Sequence, residues 1–149
     1  MNTELIFYRC TISPVVKVLP KLLLKIYASG AKTIVVCQNE AQLNELDELL
    51  WTFSTKEFLP HSTFKDKDAS LQPILLSLNA EGINSASVLV NLTTEVFATS
   101  GFSKVLSVFY GDEQEKEVAI PLKLYGQYKM EGKQPLLWVQ GADGQWKSA

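Results

Sequence analysis

Short apolar runs rich in β-branched residues alternate along this chain with segments whose apolar residues recur every three or four positions. The clearest run is Ile34 to Cys37, and Leu43, Leu46 and Leu50 follow it at helical spacing. Such a run predicts a strand buried on both faces, and the repeat after it predicts an amphipathic helix. Strands that alternate with helices in this way predict a three-layer α/β fold with a mostly parallel sheet.

The same patterns predict the other elements. Strands are expected at 5–9, 33–37, 74–78, 88–92 and 104–110, with a final edge strand at 136–140. Helices are expected from Pro14, from Asn39 to Trp51, from Thr93 or Thr94 to Gly101, and from 112 to about 129 with an interruption at Pro121. Residues 62–70 are expected to form an exposed linker and residues 141–144 a turn. We interpret residues 1–149 as one domain.

Three residues mark the expected helix ends. Pro20 lies inside the first helical pattern, so that helix either kinks there or begins near Leu19. Gly30 is a suitable C-terminal stop, because glycine readily adopts the left-handed conformation that ends many helices. Asn39 is a suitable N-cap for the second helix.

Charge and composition limit the possible partners. The net charge of −2 gives no general attraction to nucleic acid, so any nucleic-acid role has to be local or pass through another protein, and we expect contact with DNA only indirectly. The first residues have no basic region followed by an apolar core, and no run reaches the roughly 20 apolar residues of a membrane span. We therefore expect a cytoplasmic location, no membrane contact, and buried reduced thiols at Cys10 and Cys37.

The predicted topology resembles that of nucleotide-binding folds, but the motifs of those folds are missing. The turn after the first strand is Cys10 to Pro14, without a glycine-rich phosphate loop. His61 is the only histidine, and the two cysteines lie far apart in sequence, so we predict no catalytic residues, no cofactor and no metal site. The turns at Gln38-Asn39 and Tyr110-Gly111-Asp112 follow strands, where α/β sheets usually carry their functional sites.

Two groups of aromatic residues have more than one interpretation. The first is the run from Trp51 to His61, whose rings could fill the core below a loop or form a surface for a partner. The second combines Tyr125 and Tyr128 with Lys123 and Lys129. It is either an ordinary surface helix or a binding site.

Several segments together resemble the chi subunit of bacterial DNA polymerase III. They are Val18-Leu19-Pro20, Leu50-Trp51-Thr52-Phe53, Phe58-Leu59-Pro60-His61, Gln72-Pro73-Ile74-Leu75-Leu76, Trp138-Val139-Gln140 and Trp146-Lys147. The resemblance implies a Rossmann-like domain without nucleotide chemistry that acts as a non-catalytic adaptor. One surface of such an adaptor docks the psi subunit or another clamp-loader component. Another binds the acidic, Phe-ended C-terminal tail of single-stranded DNA-binding protein.

The resemblance also implies which residues form the two surfaces. On the clamp-loader side they are Trp51, Phe53, Phe58, Leu59, Pro60 and His61. For the acidic tail they are Lys116, Lys123, Tyr125 and Lys129. The chain departs from the family here, because Leu122 stands where relatives carry an arginine and Gly126 where they carry a lysine. Lysine lacks the bidentate fork of arginine, so we expect weaker and more salt-sensitive tail binding.

Three functional hypotheses follow. The first is a replisome adaptor that links the clamp loader to the tail of single-stranded DNA-binding protein. The second is an α/β enzyme that binds a nucleotide. The third is a chi-like adaptor that has lost tail binding and serves another partner, such as a helicase.

Overall fold

The computed structural model describes residues 3–149, and within them it contains eight strands and three α-helices. The strands are β1 (Glu4–Cys10), β2 (Thr33–Val36), β3 (Ser62–Thr63), β4 (Ile74–Ser77), β5 (Val88–Asn91), β6 (Lys104–Tyr110), β7 (Leu136–Gln140) and β8 (Trp146–Ser148). The helices are α1 (Val15–Ala28), α2 (Glu40–Thr52) and α3 (Lys116–Met130). One turn of 3-10 helix spans Ala69–Leu71.

All eight strands form one sheet in the order β3-β4-β2-β5-β6-β1-β7-β8. Neighbouring strands are parallel except for the last pair, β7 and β8, which is antiparallel. Helices α1 and α2 contribute to the core on one face of the sheet, and α3 contributes to the core on the other. The predicted three-layer α/β fold with a mostly parallel sheet is confirmed.

The central strands β2, β4 and β5 are buried at every position. Helices cover both faces of a parallel sheet, so its inner strands have no side exposed to water and favour continuous apolar runs. This burial accounts for the run that begins at Ile34, because Ile34 faces one core cluster and Val35 faces the other.

The helix ends follow local sequence signals. Helix α1 begins at Val15 and includes Pro20, so it does not begin near Leu19. It ends at Ala28, and Gly30 then takes a positive φ of 87°. The side-chain oxygen of Asn39 accepts a hydrogen bond from the backbone N–H of Gln42 at 2.8 Å, as expected for an N-cap.

The predicted short helix between Thr93 and Gly101 is wrong. This segment contains no helix, because the side chain of Asn91 organises the chain after β5 into a turn. Asn91 Oδ1 accepts from the backbone N–H of Thr93 at 2.8 Å, and Asn91 Nδ2 donates to the carbonyl oxygen of Glu95 at 2.8 Å. Asparagine side chains bond to nearby backbone in this way and compete with helix formation.

Two other predictions need correction. Residues 62–70 are not simply an exposed linker, because Ser62 and Thr63 form the buried strand β3, which pairs with β4. Strand β7 is not at the edge of the sheet, since β8 pairs with its outer side. The predicted turn at 141–144 is confirmed, and it joins these two strands.

Helix α3 also differs from its prediction in detail. It begins at Lys116 and continues through both Pro121 and Gly126, so the proline does not divide it. Pro121 is buried on the face that packs against the sheet. Within residues 3–149, no helix has the length and apolar character needed to cross a membrane.

Cys10 and Cys37 are free and buried, which confirms the interpretation as thiols. Burial raises the pKa of each thiol to about 12, because the thiolate would lose its hydration in the core. Both side chains therefore pack as small apolar groups at neutral pH.

Candidate functional site

The first candidate surface lies where helix α2 ends and the loop to β3 begins. Trp51 is in the last turn of α2, and its side chain is 56 % exposed. Phe58 lies in the loop and is 60 % exposed. The two ring centres are 5.6 Å apart. Two large rings that contact each other and remain open to water form an apolar patch, which is typical of a partner-binding surface.

The remaining residues of this group are less exposed. Leu59 is fully buried and belongs to the core between α2 and the sheet. Phe53 and Pro60 are partly buried, and Phe53 packs against the same core. In this loop Phe58 is therefore exposed to solvent, and the next residue, Leu59, is buried in the core.

His61 lies below the exposed rings. Its side chain is inaccessible to solvent. Nδ1 lies 2.7 Å from the carbonyl oxygen of Leu59, and Nε2 lies 3.1 Å from Oδ1 of Asp47. The imidazole centre is 4.7 Å from the ring centre of Trp51. His61 thus supports the exposed surface from within, and its two nitrogens are engaged by the protein.

The two turns at the carboxyl ends of the strands border a cavity of about 250 Å³. Gln38 and Tyr110 line it, together with two carboxylates, Glu45 and Glu117. Among the described residues, the lining includes no lysine or arginine. A phosphate group would meet negative charge there without a compensating cation, so this position in the fold does not favour a nucleotide. Over residues 3–149, no group of three or more metal-ligating side chains is present.

The second candidate surface involves helix α3. Tyr125 is partly buried, and its ring meets that of Phe7 edge-on with centres 5.5 Å apart. Lys129 lies one turn later, and its Nζ is 5.2 Å from the centre of the Tyr125 ring. This is a cation–π contact, which holds the lysine charge beside the aromatic wall.

The structure does not bring the other two lysines of this group to the same place. Lys123 is exposed and lies two residues before Tyr125, which at 3.6 residues per turn is about 160° away around the helix. Lys116 lies two turns before Lys123 and shares its side. Only Tyr125 and Lys129 of the four predicted tail residues are therefore close together.

A lysine that the sequence analysis did not select lies on the same face of the sheet as α3. Lys147 in β8 pairs with Val139 in β7, and Val139 pairs with Arg9 in β1. Paired residues point to the same side of a sheet, and Phe7, which contacts Tyr125, is on that side. Because β8 was not predicted, the sequence analysis did not assign Lys147 to this surface, although Trp146-Lys147 is among the segments that resemble the chi subunit. The sequence analysis also did not predict the cation–π contact between Lys133 and Tyr128, in which Nζ is 4.7 Å from the ring centre.

Comparison with known proteins identifies the family. The family model described as DNA polymerase III chi subunit, HolC, matches residues 2–135. The chain belongs to the DNA polymerase III chi subunit family. The members of this family are subunits of a DNA polymerase, so membership assigns the chain to DNA replication.

Individual chi subunits match over different lengths. The subunit chi of Haemophilus influenzae is 30 % identical over 126 residues, which cover 83 % of this chain and 85 % of that protein. The subunit chi of Pseudomonas aeruginosa is 38 % identical over 71 residues, covering 48 % and 49 %. The probable subunit chi of Rickettsia prowazekii is 32 % identical over 92 residues, covering 62 % and 53 %. The chain thus spans about half the length of the last two proteins.

Proposed function

We propose that this chi-family chain is a non-catalytic adaptor of the replisome. In this proposal it connects the DNA polymerase III clamp-loader assembly, through a psi subunit or another component, to the C-terminal tail of single-stranded DNA-binding protein. Contact with DNA is then indirect, and a role in replication implies the cytoplasm. The observation that carries the proposal is the exposed pair of Trp51 and Phe58.

The Trp51–Phe58 pair supports docking of a clamp-loader component. Partner-binding hot spots are enriched in tryptophan and usually combine an aromatic anchor with a well-packed base. Here Leu59 and His61 form that base, because Leu59 anchors the loop in the core next to Phe58 and the buried ring of His61 contacts Trp51. We assign direct contact to Trp51 and Phe58, with Phe53 and Pro60 at the margin, and a supporting role to Leu59 and His61.

A non-catalytic role is supported by the state of the single histidine. His61 is the only imidazole in the chain, and its solvent-inaccessible ring faces Leu59 and Asp47 with its two nitrogens. A general base must reach a substrate, and this ring does not. Purified protein is expected to hydrolyse no ATP, and histidine-dependent turnover that disappears in His61→Ala would overturn this part of the proposal.

Docking is tested by affinity measurements with the purified clamp-loader assembly of the same organism. Phe58→Ala and Trp51→Ala should each weaken binding by about 2 kcal/mol, which is roughly thirtyfold, if the rings are hot spots. Ile83→Ala is a matched control, since Ile83 is another exposed apolar residue in a different loop. Unchanged affinity in both aromatic variants, or an equal loss in the control, would contradict docking at this surface.

Tail binding is proposed at the side of α3 that carries Tyr125 and Lys129. Tyr125 supplies an apolar wall for a terminal phenylalanine ring, and Lys129 supplies positive charge for the acidic residues. Lys147 lies on the same face of the sheet, in the strand two positions from β1. Lys116 and Lys123 lie on the opposite side of α3, so in this proposal they contribute only long-range attraction.

Calorimetry with the tail peptide of the same organism tests this site. We expect a dissociation constant in the micromolar range or weaker, about −8 kcal/mol or less favourable, and a further loss with salt. Leu122→Arg should tighten binding, because Leu122 lies one turn before Tyr125 on the same side and arginine offers a bidentate fork for a carboxylate. No binding at low salt and no gain from Leu122→Arg would contradict the site.

The separation of the lysines also favours a second candidate. With Lys116 and Lys123 turned away from Tyr125, the chain could be an adaptor that docks its partner through Trp51 and Phe58 without binding the acidic tail. The two titrations distinguish the candidates, since clamp-loader or helicase binding without tail binding would select the second.

A further inference from the structure

The loop that carries Phe58 has little backbone structure of its own. In the part of the chain that the structure describes, no backbone–backbone hydrogen bond involves residues 54–60. The side chain of Ser54 accepts from the backbone N–H groups of Lys56 and Glu57, which fixes only the first turn of the loop. The position of Phe58 must therefore depend on side chains that anchor the later part of the loop.

Two anchors follow Phe58 directly. Leu59 is fully buried in the core and fixes the depth of the loop, but an apolar contact has no preferred direction. His61 adds direction, because its Nδ1 lies 2.7 Å from the carbonyl oxygen of Leu59. Its Nε2 lies 3.1 Å from Oδ1 of Asp47 and 3.3 Å from the backbone carbonyl oxygen of the same residue. It thereby connects the loop to helix α2.

Asp47 and Trp51 are four residues apart and lie on the same side of α2. The imidazole of His61 occupies the space beside both, with its centre 4.7 Å from the Trp51 ring. The three rings of His61, Trp51 and Phe58 thus form a continuous row from the interior to the surface. A shift of His61 away from Asp47 would remove the support on the inner side of Trp51.

We infer that Asp47, acting through His61, is a positioning residue that holds Trp51 and Phe58 in the arrangement that a partner recognises. This inference rests on the proposed docking function and assigns Asp47 no contact with the partner. Without the Asp47–His61 bridge, the rings would have to be ordered when the partner binds, and ordering side chains opposes association.

The variants Asp47→Ala, Asp47→Asn and Glu48→Ala test the inference in the full chain. Asp47→Ala removes the carboxylate beside His61 and leaves only the backbone carbonyl oxygen of residue 47 near Nε2, whereas Asp47→Asn retains a side chain of the same shape with an oxygen in that position. Glu48→Ala is the control, because Glu48 is the next carboxylate of α2 and is exposed. Thermal unfolding of each variant shows whether it remains folded at the temperature of the binding experiment.

Two measurements decide the outcome. Binding to the purified clamp-loader assembly should weaken about tenfold in Asp47→Ala, as expected when about 1.4 kcal/mol of ordering opposes binding. It should remain close to wild type in Asp47→Asn and Glu48→Ala. The NMR signal of the Trp51 indole N–H, assigned by its loss in Trp51→Phe, should shift or broaden in Asp47→Ala alone.

The failures of the two proposals are distinguishable. Loss of binding in Trp51→Ala, with wild-type binding and an unmoved indole signal in Asp47→Ala, would overturn the positioning role and leave the docking function standing. Wild-type binding in both Trp51→Ala and Phe58→Ala would overturn the docking function and, with it, the recognition role assigned to Asp47. Failure of Asp47→Asn to retain both readouts would also contradict the proposed contact between the side chain of residue 47 and His61.

Discussion

Phe58 and Leu59 are adjacent in sequence, but replacing each with alanine should have different effects. Leu59→Ala should mainly lower stability, and Phe58→Ala should mainly weaken partner binding. Leu59 is fully buried, so Leu59→Ala leaves a cavity below the loop. Leu→Ala changes at such sites lower the free energy of unfolding by about 2–5 kcal/mol. Phe58 is 60 % exposed and keeps only part of its ring, including the contact with Trp51, away from water. We therefore expect Phe58→Ala to lower the free energy of unfolding by about 1 kcal/mol or less.

Urea unfolding followed by circular dichroism measures both changes. With a slope of about 1–3 kcal/mol per molar urea, Leu59→Ala should lower the midpoint by roughly 0.7 M or more, and Phe58→Ala by about half of that shift or less. Affinity for the clamp-loader assembly should change in the opposite order when measured on folded protein. Equal losses of stability in the two variants, or a larger loss in Phe58→Ala, would refute the assignment of Phe58 to the surface and Leu59 to the core.

Other positions give simpler expectations. Gly126→Ala should raise the free energy of unfolding by about 0.5–1 kcal/mol, because Gly126 lies within α3 with open space around its Cα. Gly111→Ala should lower the free energy of unfolding, because Gly111 has φ of 136° and a Cβ there would lie 2.9 Å from Oε2 of Glu115. Thermal melts of this pair test both signs. Asn39→Ala should lower the free energy of unfolding by about 1 kcal/mol, because α2 loses its N-cap, and urea unfolding measures this change. Cys10 and Cys37, with pKa values raised to about 12, should resist iodoacetamide at pH 8 in the native state and react in urea. Their contribution to stability should be complete below about pH 9 and decline towards pH 12, because thiols of the unfolded chain ionise first; a rise in stability over that range would contradict their burial.

Much of the fold was predictable because it depends on local sequence patterns. The β-branched run at Thr33–Val36 and the leucine repeat of α2 act within a few residues, and the structure has a strand and a helix there. The end of α1 before Gly30 and the cap at Asn39 are equally local, since each depends on the conformation or side chain of one residue. Resemblance in short motifs such as Phe58-Leu59-Pro60-His61 further indicated the family.

The tertiary structure decided what depends on residues distant in sequence. Strands β3 and β8 have two and three residues, too few for a pattern, and exist because β4 and β7 offer partners. From sequence, the aromatic residues after Trp51 could lie in the core or at the surface. Only the packing of this segment shows that Phe58 is exposed and that Leu59 is buried in the core.

The same distinction applies to the candidate binding residues. The sequence analysis grouped Lys116 and Lys123 with Tyr125. Helical periodicity places residues 123 and 125 on different sides of a helix, and the uninterrupted course of α3 through Pro121 puts Lys116 on the side of Lys123. Sheet order instead brings Lys147 to the face that α3 covers, and the fold brings Asp47 to His61 at 3.1 Å. By itself, the sequence determined the longer strands and helices and the family, because periodicity, caps and motifs are local. Only the tertiary structure decided which side chains meet, because contact depends on how distant segments pack.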